Sequence, residues 1–157
     1  MTSNDDKSPG TLSHAATDGS ARMVDVSAKT STARTATATG YIRMTETTLA
    51  ALRANQLKKG DVLGVAKVAG IMAAKQTAAL IPMCHPLTLT HVDVTAVPDD
   101  AIPGVVVTAR VSTMGQTGVE MEALTATTIA LVTVYDMAKS SDPAMEIGGI
   151  HVVEKTK

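Results

Sequence analysis

Hydrophobic and polar positions divide the chain into a patternless beginning and a strongly patterned remainder. Residues Met1 to Arg22 are Ser, Thr, Asp, Gly and Ala with almost no large apolar side chain, a composition that cannot offset its own ordering entropy, so 1–22 reads as a disordered tail. "MVDVSAK" alternates Val24 and Val26 as the start of an extended segment, and "TSTARTATATG" reads as a mobile Thr/Ala-rich loop before a short extended piece at "GYIRM". "TETTLAALRANQ" opens on a capping threonine and spaces Leu49 and Leu52 for a short helix ending near Asn55. The next run, "KGDVLGVAKVAGIMAAKQTAALIP", predicts one long helix, with Asp61 as N-cap, Val62, Val65, Ala69 and Met72 as its apolar stripe, and Pro82 as its stop.

Beyond it, "LTLTHVDVTAV" and "VVVTARVST" flank the breaker "PDDAIPG" and read as an antiparallel strand pair. "TGVEMEALTATTIALVTVYDMAKSS" predicts a second long helix with Leu124, Thr128, Leu131 and Tyr135 on its inner side, and "EIGGIHVVEK" a last strand. The order β-α-β-β-α-β is that of an α+β ferredoxin-like sandwich, an antiparallel sheet with helices on one face, formed by a single domain over 23–157.

Composition narrows the function classes. The apolar 45% is aliphatic, with two Tyr and neither Phe nor Trp, so no aromatic platform exists for stacking bases. Fourteen Lys and Arg against fifteen Asp and Glu leave a net charge of −1, without the basic excess of a nucleic-acid or membrane-surface binder. One cysteine forms no internal disulfide, "MTSNDDKSPG" is not a signal segment, and no apolar run is long enough to cross a bilayer. The expectation is a cytoplasmic protein with neither nucleic-acid nor membrane partners.

The chemistry-bearing residues fall into three groups. In "LIPMCHPLTL", Met83, Cys84 and His85 stand between Pro82 and Pro86. Adjacent side chains seldom converge on one metal or meet as nucleophile and base, and no second CxxC or HxxxH accompanies them, so a rigid turn is the reading and a metal site is not expected. "GIMAAKQT" lacks the second Gly and the Lys-Thr pair of a phosphate loop. Lys67 and Lys75 read as solvated, whereas Lys59 in "KKGD" precedes a helix N-terminus that could join it in holding a phosphate. Glu120 and Glu122 flank Met121 at the opening of the second long helix, where acidic residues also simply complement the dipole. At its far end Asp136 and Lys139 stand three apart, close enough to pair. On a continuous helix Glu122 and Asp136 are about 21 Å apart, too far to share one small reacting centre, which points to a site completed by a second subunit.

Taken together, "MVDVSAK", "KGDVLGVAKVAGIMAAKQTAALIPMCHPLTL" and "TGVEMEALTATTIALVTVYDMAKS" resemble the cyclic pyranopterin monophosphate synthase family, the C protein of molybdenum-cofactor biosynthesis, over about 23–155. The resemblance implies a lyase that converts 3',8-cyclo-7,8-dihydroguanosine triphosphate to cyclic pyranopterin monophosphate with release of pyrophosphate. It implies Asp136, Lys139 and Lys59 as catalytic residues, and Met83, Cys84, His85, Glu120, Met121 and Glu122 as substrate-binding ones. It further implies a homo-oligomer, a hexamer built as a trimer of dimers, with active sites at subunit interfaces. No cofactor is required, with Mg²⁺ admitted as a companion of the triphosphate. The chain departs from the family pattern in stopping at "EKTK" without a Gly/Ser/Lys-rich tail and in having Gly149 where proline is common. The competing classes are a non-catalytic nucleotide-binding assembly module, since the fold alone implies no activity, and a metal-dependent phosphohydrolase.

Overall fold

The computed structural model describes residues 19–157, and most of the expected tail therefore lies outside the described residues; its last four positions, Gly19 to Arg22, are exposed. Four strands, β1 (Thr32–Arg43), β2 (Leu89–Asp99), β3 (Gly104–Gly115) and β4 (Glu146–Thr156), form one antiparallel sheet in the order β2-β3-β1-β4. Helices α1 (Glu46–Arg53), α2 (Val62–Lys75), α3 (Thr77–Leu80) and α4 (Glu120–Ala138) complete the chain, with α2 and α4 packed together over one face of the sheet. This is the expected ferredoxin-like α+β order.

The largest departure from expectation is at the beginning. The Thr/Ala stretch is no mobile loop: it is β1, an interior strand paired with β3 on one side and β4 on the other. Its β-branched threonines suit a pleated strand, while Ala36, Ala38, Gly40 and Ile42 alternate into the core. The side chains are small because α4 lies close above them. A Cβ on Gly40 would stand 2.9 Å from Leu131 Cδ1 and 2.8 Å from Ile150 Cγ1. A segment hydrogen-bonded on both edges is not free to move as a loop, so Thr32 to Gly40 is fixed in the sheet. Val24 and Val26, conversely, lie outside any strand.

The same small-residue logic corrects the helix faces. The buried stripe of α2 is Val62, Ala66, Gly70, Ala73 and Ala74, and Val65 and Met72 face outward at 46% and 56% exposure. Of the expected stripe Val62 is buried and Ala69 half-buried, so counting large apolar residues failed at Val65 and Met72. On α4 the inner face is Ala123, Ala126, Ala130, Leu131 and Val134, with Leu124, Thr128 and Tyr135 only half-buried at its margin. The expected single helix to Pro82 breaks at Gln76 into α2 and α3, although Asp61 caps α2 as anticipated by accepting the Gly64 N–H at 2.9 Å.

In β4, Gly149 has φ +64, a conformation that a proline ring excludes and a side chain rarely adopts. It falls where the β1–β4 register shifts between Thr39 and Tyr41, a bulge against which the Tyr41 ring packs.

Candidate active site

Two clusters stand at opposite ends of α4. At its C-terminal end Asp136 sits between two lysines: its Oδ1 accepts from Lys139 Nζ at 2.8 Å, one turn along the helix, and its Oδ2 from Lys59 Nζ at 2.6 Å. Lys59 also donates to the Asp136 carbonyl at 3.1 Å. The loop after α1 delivers Lys59 across 77 residues of sequence, turning at Asn55, which has φ 53, and held by the buried Leu57. The two ammonium groups, Lys139 foremost, pull the Asp136 carboxyl down to about 2, and Asp136 in turn raises Lys139. All three side chains remain about half exposed, so the cluster contributes little to folding and leaves two cations open to a solute anion.

The expected phosphate cradle at the start of α2 is not where Lys59 points. Asp61 already supplies the negative charge at that helix end, and the Lys59 ammonium turns to Asp136 instead. Lys67 and Lys75 are exposed, as solvated side chains.

At the N-terminal end of α4 a cavity of about 480 Å³ is lined by Met83, Cys84, His85, Glu120, Met121 and Glu122, the six residues expected to bind substrate. The turn after α3 closes through a Cys84 N–H to Ile81 carbonyl bond at 3.1 Å, with Pro82 inside it. His85 Nε2 donates to the Val24 carbonyl at 2.7 Å, which fixes the proton on that nitrogen. Burial and the neighbouring Glu122 carboxyl push the Cys84 thiol up, so it is protonated near neutrality and packs instead of attacking. Glu122, only 4% exposed, is pushed up chiefly by the same burial, with Glu120 adding to it. Glu120 turns outward to Lys155 Nζ at 3.3 Å.

Lining residues outside the nine expected site residues include three from "MVDVSAK", a segment that the resemblance had included. Val24, Val26 and Lys29 cover the cavity from the segment before β1, held there by His85 and by Gln116 Nε2 donating to the Ser27 carbonyl at 3.3 Å. Among the described residues Lys29 is the one lysine or arginine in the lining, and it lies in a stretch whose hydrophobic pattern is too sparse to place it. Among the described residues no three His, Cys, Asp or Glu side chains converge as a metal site requires, and no helix is long and apolar enough to cross a membrane.

Within one chain the two clusters stay apart. Helix α4 is continuous from Glu120 to Ala138, so the fourteen residues between Glu122 and Asp136 correspond to about 21 Å. One α+β chain thus carries an apolar cavity with carboxyl groups at one end of α4 and an exposed lysine–aspartate–lysine group at the other.

The comparisons with known proteins are more specific. The family model described as the MoaC family matches residues 23–157, and the chain belongs to that family. It is 58% identical over 144 residues to the cyclic pyranopterin monophosphate synthase of Jannaschia sp. (strain CCS1), covering 92% of this chain and 88% of that protein. It is 56% identical over 145 residues to the synthase of the same name from Methylobacterium sp. (strain 4-46), covering 92% and 91%. A third, from Cereibacter sphaeroides (strain ATCC 17029 / ATH 2.4.9), is 56% identical over 144 residues.

Proposed function

We propose that this chain is a cyclic pyranopterin monophosphate synthase, a lyase that converts 3',8-cyclo-7,8-dihydroguanosine triphosphate to cyclic pyranopterin monophosphate and releases pyrophosphate in molybdenum-cofactor biosynthesis. The observation that carries the reading is the identity of 55–58% to synthases of that name across 92% of the chain. The Lys59–Asp136–Lys139 group supports it, since losing pyrophosphate from a triphosphate needs cations where the leaving charge develops.

The charge state of that group assigns its roles. With its carboxyl near 2 and the Lys139 ammonium raised, the resting pair is fully ionised, and Asp136 is too weak a base to start a proton transfer. Phosphate oxygens compete for the same two ammonium groups. As Lys59 and Lys139 turn to the triphosphate, Asp136 loses the partners that depress it and regains basicity next to the bound substrate. The lysines then offset charge on the departing pyrophosphate, and Asp136 accepts a proton during rebuilding of the ring system. At the other end, the uncharged Cys84 and the buried Glu122 line the cavity that takes the heterocycle, and the Glu122 carboxyl is its hydrogen-bonding group in this reading.

One substrate has to meet both clusters, and 21 Å of helix separates them, so each site joins the lysine cluster of one protomer to the cavity of another. A homo-oligomer follows, with the hexamer as its assembly, acting in the cytoplasm. Any magnesium ion rides on the substrate phosphates, since among the described residues no three His, Cys, Asp or Glu side chains converge as a metal site requires. Incubating the protein with the cyclised GTP substrate and measuring pyrophosphate tests the reading. Stoichiometric release of pyrophosphate with the cyclic monophosphate is expected; binding without turnover, or orthophosphate as the product, would refute it.

A further inference from the structure

A buried carboxylate outside both clusters has no part in the chemistry above. Asp142 is 5% exposed, and its Oδ2 accepts the Thr45 N–H at 2.7 Å across 97 residues of sequence, while its Oδ1 accepts the Ala144 N–H at 3.3 Å. Thr45 is the N-cap of α1, where its hydroxyl accepts the Thr48 N–H. In an ordinary capping box the residue at position 48 would return a carboxylate to the cap's own N–H. Here that position is a threonine, and Asp142 performs the service from 97 residues away in sequence.

This contact has a geometric effect. Asp142 lies in the turn that leaves α4: Lys139 N–H donates to Tyr135, and Ser141 and Asp142 N–H both donate to Ala138. The same α4 end carries Asp136 and Lys139. The segment opened by Thr45, α1 and the loop after it, carries Lys59. The two segments that supply the charged cluster therefore meet at two points, the exposed Lys59–Asp136 bond and the buried Asp142–Thr45 bond. An exposed ion pair does not hold two segments in register, and a buried charge-assisted bond to a backbone N–H does.

We propose that Asp142 is a positioning residue for the proposed site: it fixes the start of α1 to the end of α4 so that Lys59 meets Asp136 and Lys139. The inference rests on the reading of those three residues as catalytic. It is tested by a double-mutant cycle in the full chain, scoring pyrophosphate release for Asp142→Ala, Lys59→Ala and the double variant, with folding verified by circular dichroism. Asp142→Ala is expected to lower kcat about tenfold to a hundredfold with KM within about twofold, the scale set by misplacement of about 1 Å. In the Lys59→Ala background the same change is expected to lower kcat less than about threefold, since the group it positions is gone. Asp142→Asn keeps the shape and one acceptor, should fall between wild type and alanine, and serves in the cycle where the alanine chain fails to fold. Multiplicative losses, or unchanged kcat in the folded Asp142 variants, would overturn the positioning role. Unchanged kcat in Lys59→Ala would instead overturn the catalytic reading of the cluster.

Discussion

Replacing Gly70 tests how the fold holds the cavity. Gly70 is where α2 crosses α4, and a Cβ there would lie 3.0 Å from the Ala126 carbonyl oxygen, 3.2 Å from Val94 Cγ1 and 3.3 Å from Ala130 Cβ. The nearest of these is backbone inside a helix, which cannot rotate away. Gly70→Ala gains about 1 kcal/mol of helix propensity and loses a comparable amount to a shift of a few tenths of an ångström, so its stability changes by less than about 1 kcal/mol. Gly70→Val adds γ carbons that force the helices apart, costing about 1–3 kcal/mol. At roughly 2–4 °C per kcal/mol for a domain of this size, the valine variant should melt about 2–12 °C lower. The functional consequence follows from chain order: α2 leads through α3 into the Cys84–His85 turn, which faces Glu122 on α4 across the cavity. A displacement of about 1 Å there should cut kcat/KM up to about a hundredfold. Differential scanning fluorimetry and pyrophosphate release read the two effects. A valine variant with wild-type melting and wild-type kcat/KM would refute the claim that this close helix contact sets the cavity.

Glu122 binds its proton more tightly in the folded chain than in the unfolded one, so the wild type loses stability as pH rises from 4.5 through the raised folded value. Glu122→Gln should therefore melt higher than wild type at pH 7 to 8, with the gap closing below about 4.5; equal melting at every pH would contradict a buried acid. Asp136 behaves oppositely: its carboxyl is depressed from 3.8 to about 2, so its contribution is complete above the ordinary value and is lost as pH falls through that interval. Asp136→Ala should abolish turnover while changing the acid limb of the stability curve between about 4 and 2 only slightly, as followed by circular dichroism, because the ion pairs are solvent-exposed. Cys84→Ser should keep turnover within about threefold, because the protonated thiol packs instead of reacting; complete loss with fold and affinity intact would make it a catalytic group.

The strand and helix order was legible because "VVVTARVST" and the Asp61-capped run carry strong local signals. The inner faces were not, since size misled: in a core where Gly70, Ala126 and Ala130 bring two helices together, the large residues Val65 and Met72 lie outside. For the same reason β1 read as a loop, its alanines and Gly40 being small to admit α4 instead of polar to meet water. Of the site, the Asp136–Lys139 spacing was readable at one helical turn, whereas the arrival of Lys59 over 77 residues rested on the family resemblance and is now seen as a direct bond. The turn at Met83 to His85 and the acids at the start of α4 line one cavity, a juxtaposition that their separation in sequence hides. Lys29 and Asp142 had no local signature, because their roles exist only once β1 and α1 are docked against distant loops.

The central claim is that two chains make one site, and co-expressing Asp136→Ala and Glu122→Ala subunits, each inactive alone, addresses it directly. In a two-fold-related pair, a mixed dimer carries both changes in one site and neither in the other, so random pairing should restore about a quarter of wild-type pyrophosphate release. Mixed oligomers, isolated through two different tags, that show no more activity than either parent would mean that each chain works alone and that the claim is wrong.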